Sequence, residues 1–451
     1  MNDWFDAEQR AERAQQLTES RRWAEALAEI DAALDVNPTN GSWLAQRGFL
    51  LDQLERYEDA LETYAEALEC EPEDRELLLA VGTDLSRIGR ITEALKSFAR
   101  LNELYPDFEP GYCYRIMAYA ELGQHDKAEE MFYLAQQLKE DCPHCYYHVG
   151  HSLADKGDHD RAIHCWNRVL RIDPGYERVK GQIARAYRAK GDAARAQQYY
   201  LSAIREDPGD IELLFEMGDL FAETEDLDLA ATKFRQVIEL APDNADAHFS
   251  LAQVLLACDS AQEAIKLLEE VSELEPDYDG LDLQRGSTHL KLGRYTDARP
   301  YLERAVEEDP SNKDGLMLLG NCLLWLRRPD GAAEQFRRVL AIDAEVPGAH
   351  HNLGVCCFFK GDYSQGVEHC RRAIELKPDY LLAVIKSTLA YQKLGRFSEA
   401  RAMIDHGLGV DPENALLLQL RSQLWRSRIR YFLGRIGSFF SGIFRRGRSG
   451  R

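Results

Sequence analysis

Much is missing from this chain. No run of eighteen apolar residues occurs anywhere in its 451 residues, so the sequence offers no membrane-spanning helix. The opening MNDWFDAEQRAERAQQ has neither the basic start nor the apolar centre of a secretory signal, and a chain made and kept in the cytoplasm is expected. G-x-S-x-G, the P-loop, H-E-x-x-H and a G-x-G-x-x-G following a strand are all absent, so the expectation is a non-catalytic protein that needs no cofactor and no resident metal. Positive charge is in deficit too: 55 Lys and Arg against 77 Asp and Glu give a formal net charge of -22. Every acidic residue lies before Ala415 and nine Arg lie after it, so the body is more acidic than the total suggests. Phosphate contacts need clustered Lys and Arg, and such a body is not expected to bind nucleic acid. The ten cysteines are scattered, mostly at core-like positions such as Cys70, Cys258, Cys322 and Cys370. That usage fits a reducing compartment, and no structural disulfide is expected.

Proline is also scarce, 15 in all, yet ten share one register. Stepping by thirty-four residues from Pro72 reaches Pro38, Pro106, Pro174, Pro208, Pro242, Pro276, Pro310, Pro378 and Pro412, with Glu140 and Ala344 as the exceptions. Within one period, Gly41 to Asp74, Leu44, Gly48 and Leu51 fall at i, i+4 and i+7, as do Ala60, Leu61, Tyr64, Ala67 and Leu68. Two amphipathic helices follow. The polar run from Glu55 to Asp59 turns the chain between them, and Pro72 ends the second because its ring removes an amide donor. An Ala60 series recurs at the same spacing, with Gly366 as its one substitute, and is expected to face a glycine series through Gly48, Gly82, Gly150, Gly218, Gly286, Gly320 and Gly354. An aromatic series, Tyr64, Phe98, Phe132, Trp166, Tyr200, Phe234 and Phe336, is expected to fill the joint between successive hairpins. One such hairpin cannot bury its own apolar face, so the units must stack.

Period, small pair, aromatic and terminal proline resemble those of the tetratricopeptide repeat family, over Ala7 to Asn414. The resemblance implies an all-α fold, an α-solenoid of twelve helix hairpins starting near residues 7, 41, 75, 109, 143, 177, 211, 245, 279, 313, 347 and 381. Residues 1–6 lead in, residues 415–428 form a capping helix and residues 429–451 a basic tail. It further implies a right-handed superhelix whose first helices line a concave groove that binds peptides or partner proteins. The expected role is a scaffold with a protein or peptide partner.

Departures from the pattern mark candidate sites. At the junction of repeats four and five Pro143 arrives three residues late, so the preceding helix is expected to run on and the next to begin at the proline. Cys142-Pro-His-Cys145 is similar to the active-site motif of thioredoxin-superfamily thiol oxidases, though without the strand and βαβ scaffold that chemistry uses. A cysteine at a helix N-terminus is expected to have a lowered thiol pKa. His144, His148 and His151 lie on one stripe toward the groove beside these cysteines, so a thiol- or metal-dependent regulator is an alternative function. Arg178, Arg185 and Arg188 occupy the equivalent places one repeat on, with Lys180 and Lys190 nearby. Together with the histidines they suit a carboxylate or acidic peptide whose affinity falls from about pH 6 to about pH 8. Repeat seven turns acidic through Glu212, Glu216, Asp219 and Glu223, and Pro300 is expected to delay the start of its helix.

Repeats ten to twelve turn apolar: Met317, Leu318, Trp325, Val355, Phe358, Phe359, Leu382, Ile385 and Leu389 fall at or beside the groove, as at a partner site. Asn321, Asn352 and Lys386 stand at the spacings of three of the five residues in the two-carboxylate clamp of the family's co-chaperones. Met317 and Leu382 replace its other two lysines. Binding of C-terminal peptides is the alternative this implies. In the tail, Phe432, Leu433, Ile436, Phe439, Phe440, Ile443 and Phe444 share one helical face while Arg430 and Arg435 hold the other. That pattern fits a helix on an anionic membrane surface, and so a peripheral adaptor, with docking into the chain's own groove or dimerisation as alternatives.

Overall fold

The computed structural model describes residues 2–429, and every regular element among them is α-helical. Helices α1 (Asn2–Glu19) to α24 (Phe397–Val410) follow one another in twelve pairs, and α25 occupies residues 415–429. The second helices begin at Trp23, Tyr57, Ile91, His125, His159, Ala193, Leu227, Ala261, Tyr295, Pro329, Tyr363 and Phe397, a strict thirty-four-residue step. The chain divides into two units, up to Leu220 and from Phe221 onward, with α13 (Ile211–Glu223) spanning the division. Successive helices pack on one another from α1 to α12 in the first unit and from α14 to α24 in the second. Among the described residues no helix is long and apolar enough to cross a membrane.

The repeating core contact is a ring laid on a glycine of its own hairpin. A methyl on Gly82 would come within 2.2 Å of the ring of Phe98, and one on Gly320 within 2.5 Å of Phe336. The glycines make room for the aromatic series sixteen residues on, and these rings also reach the following hairpin, as Phe98 does on Tyr114 and Phe132 on Tyr146, with ring centroids 5.3 and 5.0 Å apart. Phe98, Trp166, Tyr200, Phe234 and Phe336 are among the largest fully buried side chains.

Several local expectations give way to the register. Helix α8 (His125–Leu138) stops where its counterparts stop and does not run on, while α9 (Pro143–Asp155) does begin at the proline. Helix α18 (Tyr295–Glu308) starts on register, so Pro300 sits inside it without delaying it. Only one intrahelical bond is forfeited there, and packing of Ala298 and Leu302 holds the helix. Helix α11 (Val179–Ala189) starts late, because Arg178 is left-handed at φ 64°. Cys70 and Cys258 are exposed rather than in the core, since they close α4 (Tyr57–Cys70) and cap α15 (Ala245–Ala257).

Candidate partner-binding site

The apolar stretch of repeats ten to twelve gathers on α21 (Pro347–Phe359), α23 (Leu381–Leu394) and α25. Between them opens a cleft of about 590 Å³, lined by Val355, Phe358, Phe359, Tyr363, Lys386, Leu389, Ala390, Gln392, Lys393 and Ser427. Its floor comes from an inverted core contact. The position that carries a ring in seven of the twelve second helices is Cys370 in α22 (Tyr363–Leu376), and Phe358 of α21 supplies a ring instead, within 2.4 Å of where a methyl on Gly366 would be. Gly366 therefore replaces alanine because the ring comes from the other helix. Phe358 is half-buried as a result, whereas Phe359, one residue further round the helix, is 49% exposed with the Arg327 guanidinium 5.2 Å from its ring centroid.

Leu382 is 57% exposed and Leu389 is exposed beside Lys386 and Lys393, neither of which makes an ion pair among the described residues. On α19 (Lys313–Trp325), Trp325 is 66% exposed and stacked on Tyr295, with ring centroids 5.2 Å apart. Met317 is half-buried against the core, and the Asn352 Nδ2 donates to Asn321 Oδ1 at 2.8 Å. The two asparagines thus bond to each other, and Met317 points partly inward. Tyr363, Gln392, Lys393 and Ser427 were not visible as site residues, because the cleft wall they form depends on where α25 lies.

In the first unit the histidine stripe packs on aromatic rings. His144 Nδ1 lies 2.8 Å from the Tyr176 hydroxyl, and His151 rests on Tyr147 and Trp166 with centroids 4.5 and 5.3 Å away. Burial, then the neighbouring His151 and His144, push the His148 imidazole down to about 4. It is neutral from pH 6 to 8 and takes no part in the titration expected there. Burial also lowers His151. The basic island is answered by the acidic segment one repeat on: Arg185 Nε donates to Glu216 Oε1 and Oε2 at 2.8 and 2.9 Å and its Nη2 reaches Glu212 at 2.7 Å. Arg188 faces Asp219 at 3.6 Å, while Lys180 and Lys190 pair with Glu206 and Asp160. Arg178 is exposed at the start of α11.

The cysteines of the same stretch turn away from the histidines. Cys142 caps α9, its Sγ accepting the Cys145 amide at 3.2 Å, in the place that Asn40, Asp74 and Asn244 take in their own hairpins. Both side chains are buried against α7 (Glu109–Glu121), and Cys145 is disulfide-bonded to Cys113, with Cα atoms 5.2 Å apart. That overturns the expectation of no disulfide. Cys142 Sγ lies 3.6 Å from Cys113 Sγ and forms a close hydrogen bond to Glu109 Oε1, which is 3.2 Å from each of the other two sulfurs. Burial, and next the Glu109 carboxylate, push the Cys142 thiol up to about 12. This reverses the lowering expected of a helix N-terminus, since a nearby anion and the loss of water outweigh the dipole. Cys113 and Glu109 escaped notice in the sequence, although residues about one period apart lie on neighbouring first helices.

Family models described as "Tetratricopeptide repeat" match residues 12–75 and 283–350, 153–217 and 220–284, 347–380 and 117–142. A STIP1 homolog protein of Dictyostelium discoideum is 30% identical over 98 residues, 22% of this chain and 17% of that one. An uncharacterized protein of Methanocaldococcus jannaschii is 39% identical over 62 residues, 14% of this chain and 72% of that one. A solved structure of YrrB, titled a TPR protein with an unusual peptide-binding site, is 26% identical and covers 41% of this chain and 95% of its own, with a TM-score of 0.37. The chain spans only 16% to 17% of the length of the first curated relatives it matches.

Proposed function

Because the chain belongs to the tetratricopeptide repeat family, we propose that it is a non-catalytic interaction scaffold and that a partner segment docks in the cleft between α21 and α23. The observation that carries this is the pairing of exposed apolar side chains, Phe359 and Leu389, with Lys386 and Lys393 at one cleft. Solvated helix faces rarely keep a contiguous apolar patch, and a patch rimmed by polar groups is typical of a partner site. Two lysines without anionic partners among the described residues select for carboxylates by charge, so the favoured ligand is a peptide with large apolar side chains flanked by Asp or Glu. Hot spots of such contacts are central aromatic anchors, which is the place of Phe358 and Phe359.

The test is an array of short synthetic peptides varying in acidic and apolar content, probed with the full chain. Peptides carrying both features are expected to bind, and the double variant Lys386→Glu, Lys393→Glu to lose them. Unchanged retention by that variant sinks the proposal. A second role rests on the segment from Arg430 onward, which lies outside the described residues. Its arginines, without any acid, and its apolar spacing support docking on an anionic membrane surface.

A further inference from the structure

The cysteine cluster at the contact of α7 and α9 belongs neither to the cleft nor to the histidine face. We propose that Glu109, Cys113, Cys142 and Cys145 form a closed tetrahedral zinc site that ties the first helix of the fourth hairpin to the first helix of the fifth. One carboxylate oxygen and three sulfurs all lie within 4.8 Å of one another. Zinc holds thiolates at about 2.3 Å and carboxylate oxygens at about 2.0 to 2.2 Å, so a tetrahedral site places its sulfurs roughly 3.8 Å apart and its oxygen roughly 3.5 Å from each. The observed 3.6 Å between Cys113 and Cys142 and 3.2 Å from Glu109 to Cys113 and to Cys145 are near those edges, whereas the bonded Cys113 and Cys145 sulfurs have to separate on reduction and the close Cys142–Glu109 contact has to widen to admit the ion.

A disulfide between Cys113 and Cys145 uses two of the four donors and leaves Cys142 and Glu109 hydrogen-bonded to each other beside it. Cys142 adds a third sulfur. Glu109 brings a carboxylate that has no Lys, Arg or His within ion-pair distance among the described residues. A carboxylate turned toward buried sulfurs is costly without a positive partner, and a divalent ion is one. The framework is suited to a metal. Cys142 and Cys145 have the C-x2-C spacing of half a zinc site, at a helix start where the Cys145 amide already orients the Cys142 sulfur at 3.2 Å. Glu109 and Cys113, at i and i+4, project from one face of α7. Among the described residues α7 packs along α9 far more extensively than any other two successive first helices. The three cysteines are only 1% to 7% exposed, which leaves no open position and makes the site structural. Zinc takes the reduced thiols, so metal and disulfide are alternative states of one cluster.

The test is the zinc content of the full chain purified under reducing conditions, with cobalt(II) as an optical probe. One zinc per chain is expected, and cobalt is expected to give thiolate-to-metal charge-transfer absorption with tetrahedral bands in the visible. Cys142→Ser should abolish the charge-transfer contribution of that sulfur and lose zinc while staying folded, because serine is a better helix cap than cysteine. Glu109→Gln should weaken zinc by at least the roughly 10- to 100-fold that loss of an outer-shell partner costs. Cys165→Ser should change nothing, and circular dichroism verifies the helices of each variant. Wild-type protein with no more zinc than Cys142→Ser, a cobalt spectrum indifferent to Cys142, or a Cys113–Cys145 disulfide that survives reductant would each overturn the site.

Discussion

Asp84 has 1% of its surface exposed, shares Arg87 with Asp52, and leaves its Oδ2 without a hydrogen-bond partner among the described residues. Burial, and after it the Asp52 carboxylate, raise its pKa to about 7. The native state therefore holds a proton that the unfolded chain gives up near its ordinary carboxylate value. The stability this contributes is complete below that value and is lost as pH rises through about 7. Urea midpoints are expected to fall between about pH 5 and about pH 8 in the native protein, and Asp84→Asn to flatten that slope. His148 acts in the opposite sense: its pKa is depressed to about 4, so its contribution is complete above the ordinary imidazole value and is lost as pH falls toward 4. Gly82 poses a packing question at the same scale. A methyl there must displace the ring of Phe98, so Gly82→Ala should cost about 1–3 kcal/mol in denaturant titration, although alanine is the better helix former.

The turn between the two helices of a hairpin imposes a second constraint. One residue in each such turn is left-handed, and the register runs through Gly89, Gly123, Gly157, Gly191, Gly293, Gly361 and Gly395, with Arg21, Glu55, Glu225, Asp259 and Arg327 in the remaining turns. Glycine adopts this conformation freely, while an L side chain is strained by roughly 1–2 kcal/mol. At Gly157 nothing lies within 4 Å of an added Cβ, so the cost of Gly157→Ala is conformational alone, about 1 kcal/mol in a urea midpoint. Glu225→Gly should move stability the other way. The hairpins themselves were legible, because amphipathic spacing and a terminal proline are local signals. Which helix supplies the ring was not: Phe358 replaces the missing aromatic at Cys370 from across the pair, and only the closeness of α21 and α22 explains why Gly366 is required there.

For the whole molecule, an acidic body followed by an arginine-rich end makes a separable prediction. A chain ending at Arg428 should lose cosedimentation with anionic lipid vesicles while keeping its peptide array pattern, and equal sedimentation of both chains would remove the membrane role. The same scale shows why charge read along the sequence misled. The basic helix of repeat six and the acidic helix of repeat seven looked like separate surfaces, yet Arg185 spends its charge on Glu216 and Glu212. By itself the sequence determined the period, the helix pairs and the family, since these follow from contacts within a few turns of one chain segment. Only the tertiary structure decided which side chains meet across successive hairpins: three cysteines and a carboxylate brought together, arginines neutralised, and a cleft closed by α25. Those meetings depend on the direction in which each helix turns its faces toward a neighbour about thirty-four residues away, and that direction is set by packing.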